Sequence, residues 1–275
     1  MSTYLTKVIF PTIERRFLRT YPANVINSLG TEKLKLDTIT ILYGSNGSGK
    51  STVLNLIAQK IQCQRETRFD HKPSYDFEQG YLISMFDEMA NETKAFSPDG
   101  LPWICKFITS AEVLNYVDQK LAHNNKVTND IQRRADYMDS WQWQDTDGVI
   151  SEGSAYLKKI NEKQSWAQNI MNEKDIYSNG EETLAYFNER LERDGLYLLD
   201  EPENCLSPIF QKRLSNRILE LAKNGSCQFI IATHSPFFLS LKDAKIFNLD
   251  KMPVTDDEKW HELANMQPYF ELFNS

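Results

Sequence analysis

Gly44-Ser45-Asn46-Gly47-Ser48-Gly49-Lys50-Ser51 places glycines, one lysine and one hydroxyl at the spacing G-x-x-x-x-G-K-[ST]. Glycines let a backbone curl until successive N–H groups point inward at phosphate oxygens. Lys50 then reaches the β- and γ-phosphates as a point charge, and the Ser51 hydroxyl is an oxygen ligand for Mg²⁺. Ser45, Asn46, Ser48 and Thr52 complete the expected cradle. The pattern implies a nucleoside triphosphate site.

Three further stretches carry residue types suited to the same chemistry. Leu196-Tyr197-Leu198-Leu199 is an apolar run that ends in Asp200-Glu201-Pro202-Glu203-Asn204. Asp200 is placed to complete the Mg²⁺ shell, and Glu201 to polarise the water that attacks the γ-phosphorus. Ala232-Thr233-His234-Ser235-Pro236 follows a second apolar run. A histidine there can donate a hydrogen bond to the γ-phosphate and report its presence. Tyr177-Ser178-Asn179-Gly180-Glu181 precedes a helical pattern. It reads equally as an anion site of Ser178, the Gly180 backbone and a helix N-terminus, or as a plain capping box from Ser178 to Glu181.

These residues need elements to hold them. Ile39, Ile41, Leu42 and Tyr43 read as a buried strand ahead of the glycine loop. Val53, Leu54, Leu56, Ile57 and Ile61 come after it at helical spacing. Residues 3–10 read as a strand and 33–36 as another, while 11–37 is otherwise mixed, with Pro11, Pro22 and Gly30 as breakers. Short core elements are expected at 81–89 and 103–109, a turn at 97–100, and a helix after Ser110. The polar stretch 118–175, with Trp141, Trp143 and Trp166, reads as a helical insertion. It is a packed lobe or, because exposed Trp is costly, a partner or nucleic-acid surface. From Glu181 the pattern alternates: helix 181–193, strand 196–199, helix 208–222, strand 228–232, helix 236–240, strand 245–249. Alternation of this kind predicts an α/β fold with a mostly parallel central sheet and helices on both faces. One domain, 1–275, is expected, with an approximate helical insertion over 81–176.

The four stretches together resemble the ABC-type ATPases. GSNGSGKS stands as Walker A, YSNGE as the signature, LYLLDEPE as Walker B and ATHSP as the switch histidine. Within that class DEPENCLSP and ATHSP are more similar to stand-alone, SMC-like and OLD-like AAA-type ATPases than to transporter subunits. The resemblance covers 38–61 and 177–250. It implies the P-loop fold of the ABC ATPase type, ATP and Mg²⁺ as cofactors, and a homodimer that sandwiches two ATP molecules head to tail. In such a dimer Ser178, Gly180 and Glu181 cap the partner's nucleotide, while Lys50, Glu201 and His234 are catalytic. Tyr177 stands where leucine is usual, and Gln79 is a Q-loop candidate with no motif around it.

Net charge is −7, so no global basic field favours nucleic acid or an anionic membrane, although Arg65, Arg68, Arg133 and Arg134 can form a local patch. No apolar run approaches bilayer length, and the N-terminal stretch is too charged for a signal peptide. The four cysteines show no metal-type pairing, which with the rest predicts a reduced, cytoplasmic setting. The expected function is an ATPase switch acting on a partner effector, of a kind common in bacterial antiviral-defence or toxin-like modules. The alternatives are a transporter's ATP-binding subunit and an SMC-like DNA-repair ATPase. The latter lacks its expected long coiled coil and basic face.

Overall fold

The computed structural model describes residues 3–10, 12–13, 15–65, 104–120, 122–123, 179–256 and 259–274. Their elements in chain order are β1 (Lys7–Ile9), α1 (Ala23–Leu29), β2 (Lys33–Lys35), β3 (Ile39–Tyr43), α2 (Lys50–Lys60) and β4 (Ile104–Thr109). Next come α3 (110–120), α4 (Asn179–Arg190), β5 (Gly195–Asp200), α5 (Pro208–Asn224) and β6 (Gln228–Ala232). The chain closes with α6 (Pro236–Leu239), β7 (Lys245–Asn248) and α7 (Gln267–Asn274).

Five strands form one parallel sheet in the order β4-β5-β6-β3-β7, and β1 and β2 pair antiparallel beside it. β3, β5 and β6 are buried along nearly their whole length, as expected for a parallel sheet covered twice. Alternation then sorts their side chains. Leu42, Leu196, Leu198, Ile230, Ala232 and Phe247 face the layer of α1, α2 and β1. Ile41, Tyr43, Tyr197, Leu199, Phe229 and Ile231 face α4, α5 and α6. Tyr197 and Phe229 stack across neighbouring strands at 5.3 Å on that second face. Each buried aromatic or leucine contributes about 1.5–3 kcal/mol, so both faces hold the sheet firmly.

Register brings the chemistry to one edge. Leu42 pairs with Ala232, Asp200 with Ala232, and Tyr43 with Asn248. The loops after β3, β5, β6 and β7 therefore leave the sheet side by side at its C-terminal edge, where ligands of α/β folds sit.

Three departures from the sequence reading have local causes. The mixed stretch 11–37 contains α1, only seven residues long, which buries Ala23, Ile26 and Leu29 and stops at Gly30, φ +60°. Its stability comes from those contacts rather than from propensity. Second, β4 is an edge strand of the main sheet, paired with β5 over Ile104–Thr109. That part of the 81–176 range is core sheet, not insertion. Third, α7 and the Trp260–Glu262 turn extend the chain past β7, anchored by buried Leu263 and Met266. The elements expected at 81–89 and 97–100 lie outside the described residues, as do the three tryptophans, Gln79, Ser178 and nearly all of the polar stretch 118–175.

Two cysteines that looked unrelated in sequence are joined. Cys63, just past α2, and Cys105 on β4 form a disulfide across the point where Gln64 bridges to Lys106. This differs from the reduced setting expected from the cysteine spacing. Cys205 and Cys227 are free thiols.

Candidate nucleotide site

The glycine loop turns directly off β3. Gly47 and Gly49 take φ of +86° and +100°, conformations that side chains resist. A side chain on Gly49 would also run into Val25 of α1, so α1 closes over the base of the loop. Lys50 is buried. Its Nζ donates to the carbonyl oxygens of Gly44 at 2.9 Å and Ser45 at 3.1 Å, curled back into its own loop. Burial lowers its pKa, and the carboxylates of Glu201, Asp200, Asp250 and Glu203 oppose that. An ammonium held among carbonyls and carboxylates is ready to be shared with phosphate oxygens.

Walker B arrives beside it. Ser51 Oγ donates to Asp200 Oδ1 at 2.9 Å across 149 residues of sequence. Burial pushes the Asp200 carboxyl up to about 6, a rise that the Ser51 hydrogen bond resists. One hydroxyl and one carboxylate are hard oxygen donors of the kind Mg²⁺ takes when phosphates and water fill the rest of its shell. Among the described residues no cluster of three or more His, Cys, Asp or Glu could hold a metal alone. The pair fits a metal shared with a nucleotide.

Glu201 comes next with φ +50°, a left-handed backbone unusual outside glycine. Its N–H donates to Ala232 O at 2.9 Å, and Asn204 Nδ2 donates to its Oε2 at 2.9 Å. The turn and the amide together aim the other oxygen across the cleft. His234 Nε2 lies 3.6 Å from Glu201 Oε1, beyond hydrogen-bond reach. Burial and Lys50 lower the His234 pKa, which favours the neutral imidazole. Among the described residues Nε2 is buried with no partner, and so is Ser48 Oγ in the loop. Buried polar atoms are costly to leave unpaired, and these two, both on site loops, are the donors an incoming anion would satisfy.

Of the residues singled out in sequence, Gly44 to Thr52, Asp200, Glu201 and His234 are brought to one edge. Gly180 and Glu181 lie on the sheet's other face. They open α4, which packs on the opposite face of the sheet from α2, and Gly180 lies so close to Phe210 of α5 that a side chain would clash. Arg65 packs over the Phe107 ring at 4.8 Å and donates to Asn55 Oδ1 at 3.0 Å. Arg68, Arg133 and Arg134 lie outside the described residues. Three site residues were given no role in the sequence reading: Glu203 and Asn204, which stand within the acidic stretch, and Asp250. Asp250 lies just past β7 and accepts from Ser45 N–H at 2.8 and 2.9 Å and from Ser45 Oγ at 2.7 Å. The available clue was position, an acid just past a strand that ends on the same edge.

A parallel sheet, a strand-loop-helix phosphate cradle and an acidic strand end define a P-loop NTPase. A family model described as ABC transporter matches residues 31–204, and one described as AAA ATPase domain matches 182–239. The chain belongs to the ABC transporter family, with the P-loop NTPase fold of the ABC ATPase type. No curated protein sequence matches it. Similar solved structures include an Smc head domain with an extended coiled coil bound to the C-terminal domain of ScpA, from Pyrococcus furiosus. It is 13% identical with TM-score 0.43, covering 99% of this chain and 100% of that one. An SMC head domain from Thermotoga maritima is 13% identical with TM-score 0.39, covering 90% and 94%. A dimeric ATP-binding cassette in a post-hydrolysis state bound to ADP and Pi is 16% identical with TM-score 0.37, covering 84% and 90%. At TM-scores below 0.5 these likenesses carry no weight of their own.

Among the described residues no helix is long and apolar enough to cross a membrane.

Proposed function

We propose that this chain binds ATP with Mg²⁺, hydrolyses it, and uses ATP-held head-to-tail dimerisation as a switch on a partner effector protein. The observation that carries the hydrolysis reading is the meeting of Lys50, Ser51, Asp200, Glu201 and His234 at one sheet edge, closed by the 2.9 Å Ser51–Asp200 contact. Lys50 Nζ exchanges its two loop carbonyls for phosphate oxygens. Glu201 Oε1 takes the proton of the attacking water, with Oε2 steadied by Asn204. Neutral His234 donates from Nε2 toward the γ-phosphate. Ser51 and Asp200 would hold Mg²⁺, which would supply charge neutralisation at the phosphates. Placement of Gly180 and Glu181 on the far face supports the dimer, because a capping motif there serves another subunit's nucleotide. Cytoplasmic residence, with the Cys63–Cys105 bridge as a departure from a fully reduced chain, and a helical lobe within 81–176, outside β4 and α3, belong to the same reading.

Mg²⁺-dependent release of phosphate by the parent chain tests this, with Glu201→Gln alongside. The amide binds ATP but accepts no proton, so the rate should fall on the order of 10²–10⁴. An unchanged rate would assign the base elsewhere.

The effector part rests on the similarity of the stretches around Asp200 and His234 to stand-alone ATPases, and a defence or toxin-like module is its proposed setting. The description of the family match favours a second reading, the ATP-binding subunit of a transporter. Material copurifying with ATP-trapped Glu201→Gln separates them: a soluble effector for the first, a membrane protein for the second.

A further inference from the structure

The turn after β5 and the turn after β6 are tied by a carboxylate that the hydrolysis reading leaves unused. Glu203 Oε1 accepts from Thr233 Oγ1 at 2.7 Å and from the backbone N–H of His234 at 2.7 Å. Its Oε2 is buried without a partner among the described residues. Thr233 Oγ1 passes the connection on by accepting from Ser235 N–H at 3.0 Å. A second tie runs from Ser235 Oγ to Gln211 Oε1 at 2.7 Å, and from Gln211 Nε2 to Leu206 O at 2.8 Å. The histidine-bearing loop thus hangs from the acidic turn by its first residues, two positions from Glu201.

We propose that Glu203 is the positioning residue of the switch histidine, holding the His234 backbone so that its imidazole stands opposite Glu201. The assignment rests on the reading of Glu201 and His234 as the hydrolytic pair. Both bonds to Oε1 are short, at 2.7 Å, and both come from the histidine loop. Burial of the carboxyl opposes its charge, and the Thr233 and His234 donors offset part of that cost. A group kept at that cost on two donors of one loop fixes the loop's register. Glu201 gains as well, since its strained turn is closed by the strap.

The test combines rates with a readout that needs no hydrolysis. Glu203→Ala should keep its KM for ATP within about 2-fold while kcat falls about 10- to 100-fold, the scale at which a catalytic group displaced by about 1 Å is felt. Glu203→Gln keeps an acceptor at Oε1 and should retain a clearly larger share of the rate. In a His234→Ala background the Glu203→Ala change should cost less than about 2-fold more, because the group it positions is gone. In nucleotide-free protein, exchange of the His234 amide proton, followed by NMR, should speed at least about 10-fold in Glu203→Ala and much less in Glu203→Gln. Equal cost in both backgrounds, or unchanged exchange at His234, would overturn the proposal. Should the parent chain hydrolyse no ATP, the ATPase reading fails, and the amide exchange still decides whether Glu203 holds His234.

Discussion

On one face of the sheet, α2 carries Lys50 and Ser51 to meet Asp200, with Glu201 and His234 on the adjoining loops. On the other face, α4 carries Gly180 and Glu181 to a helix layer built from Tyr186, Phe187, Leu214 and Ile218. The first region assembles donors, acceptors and charge at one sheet edge. The second carries the end of the stretch read in sequence as an anion site or a capping box, and among the described residues no phosphate cradle lies on that face. On the proposed dimer reading one subunit supplies half of each of two sites, and damage to the halves should have unlike effects.

Lys50→Ala should have the largest effect. It removes the cation at the centre of the cradle, while the backbone N–H groups remain, so calorimetric titration should show ATP binding lost or very weak. Unchanged affinity would move the site away from Lys50. Ser178→Arg should do the opposite: ATP still binds to the monomer, but the ATP-dependent dimer that Glu201→Gln accumulates does not form. Light scattering with ATP and Mg²⁺ reads this directly, and equal dimerisation by both variants would leave Ser178 as a helix cap.

Asp200→Asn gives the smallest effect, and it concerns stability. Burial pushes the native carboxyl up to about 6 from an ordinary 3.8, so the folded chain binds this proton more tightly than the unfolded one. The group's contribution is complete below about pH 4, declines as pH rises, and is lost above about pH 6. A neutral amide removes the cost of the buried charge. Asp200→Asn should therefore raise the Tm of nucleotide-free protein by several degrees at pH 8 and by little at pH 4. An equal shift at both pH values would place the gain in packing rather than charge.

Much of the first region was legible because its residues are contiguous. The strand before Gly44 runs straight into the glycine spacing, and the apolar run of β5 runs straight into Asp200 and Glu201, so strand and site residues are read together. β6, including its ends, was equally plain from Gln228–Ala232. The hidden residues depend on distant pairing. Asp250 reaches Ser45 across 205 positions, and only the β3–β7 register makes them neighbours. Glu203 looked like one more acid in a polar turn until the β5–β6 register set it under Thr233. α1 lacked a long apolar period to announce it, whereas β4 was legible as a short core element at 103–109 and only its place beside β5 depended on distant pairing.

The divided site is tested most directly by the specific ATPase activity of the parent chain across protein concentrations, with light scattering on the same samples. Two half-sites predict activity per subunit that rises with concentration and levels off as dimers fill. Constant activity per subunit while scattering shows only monomers would contradict it.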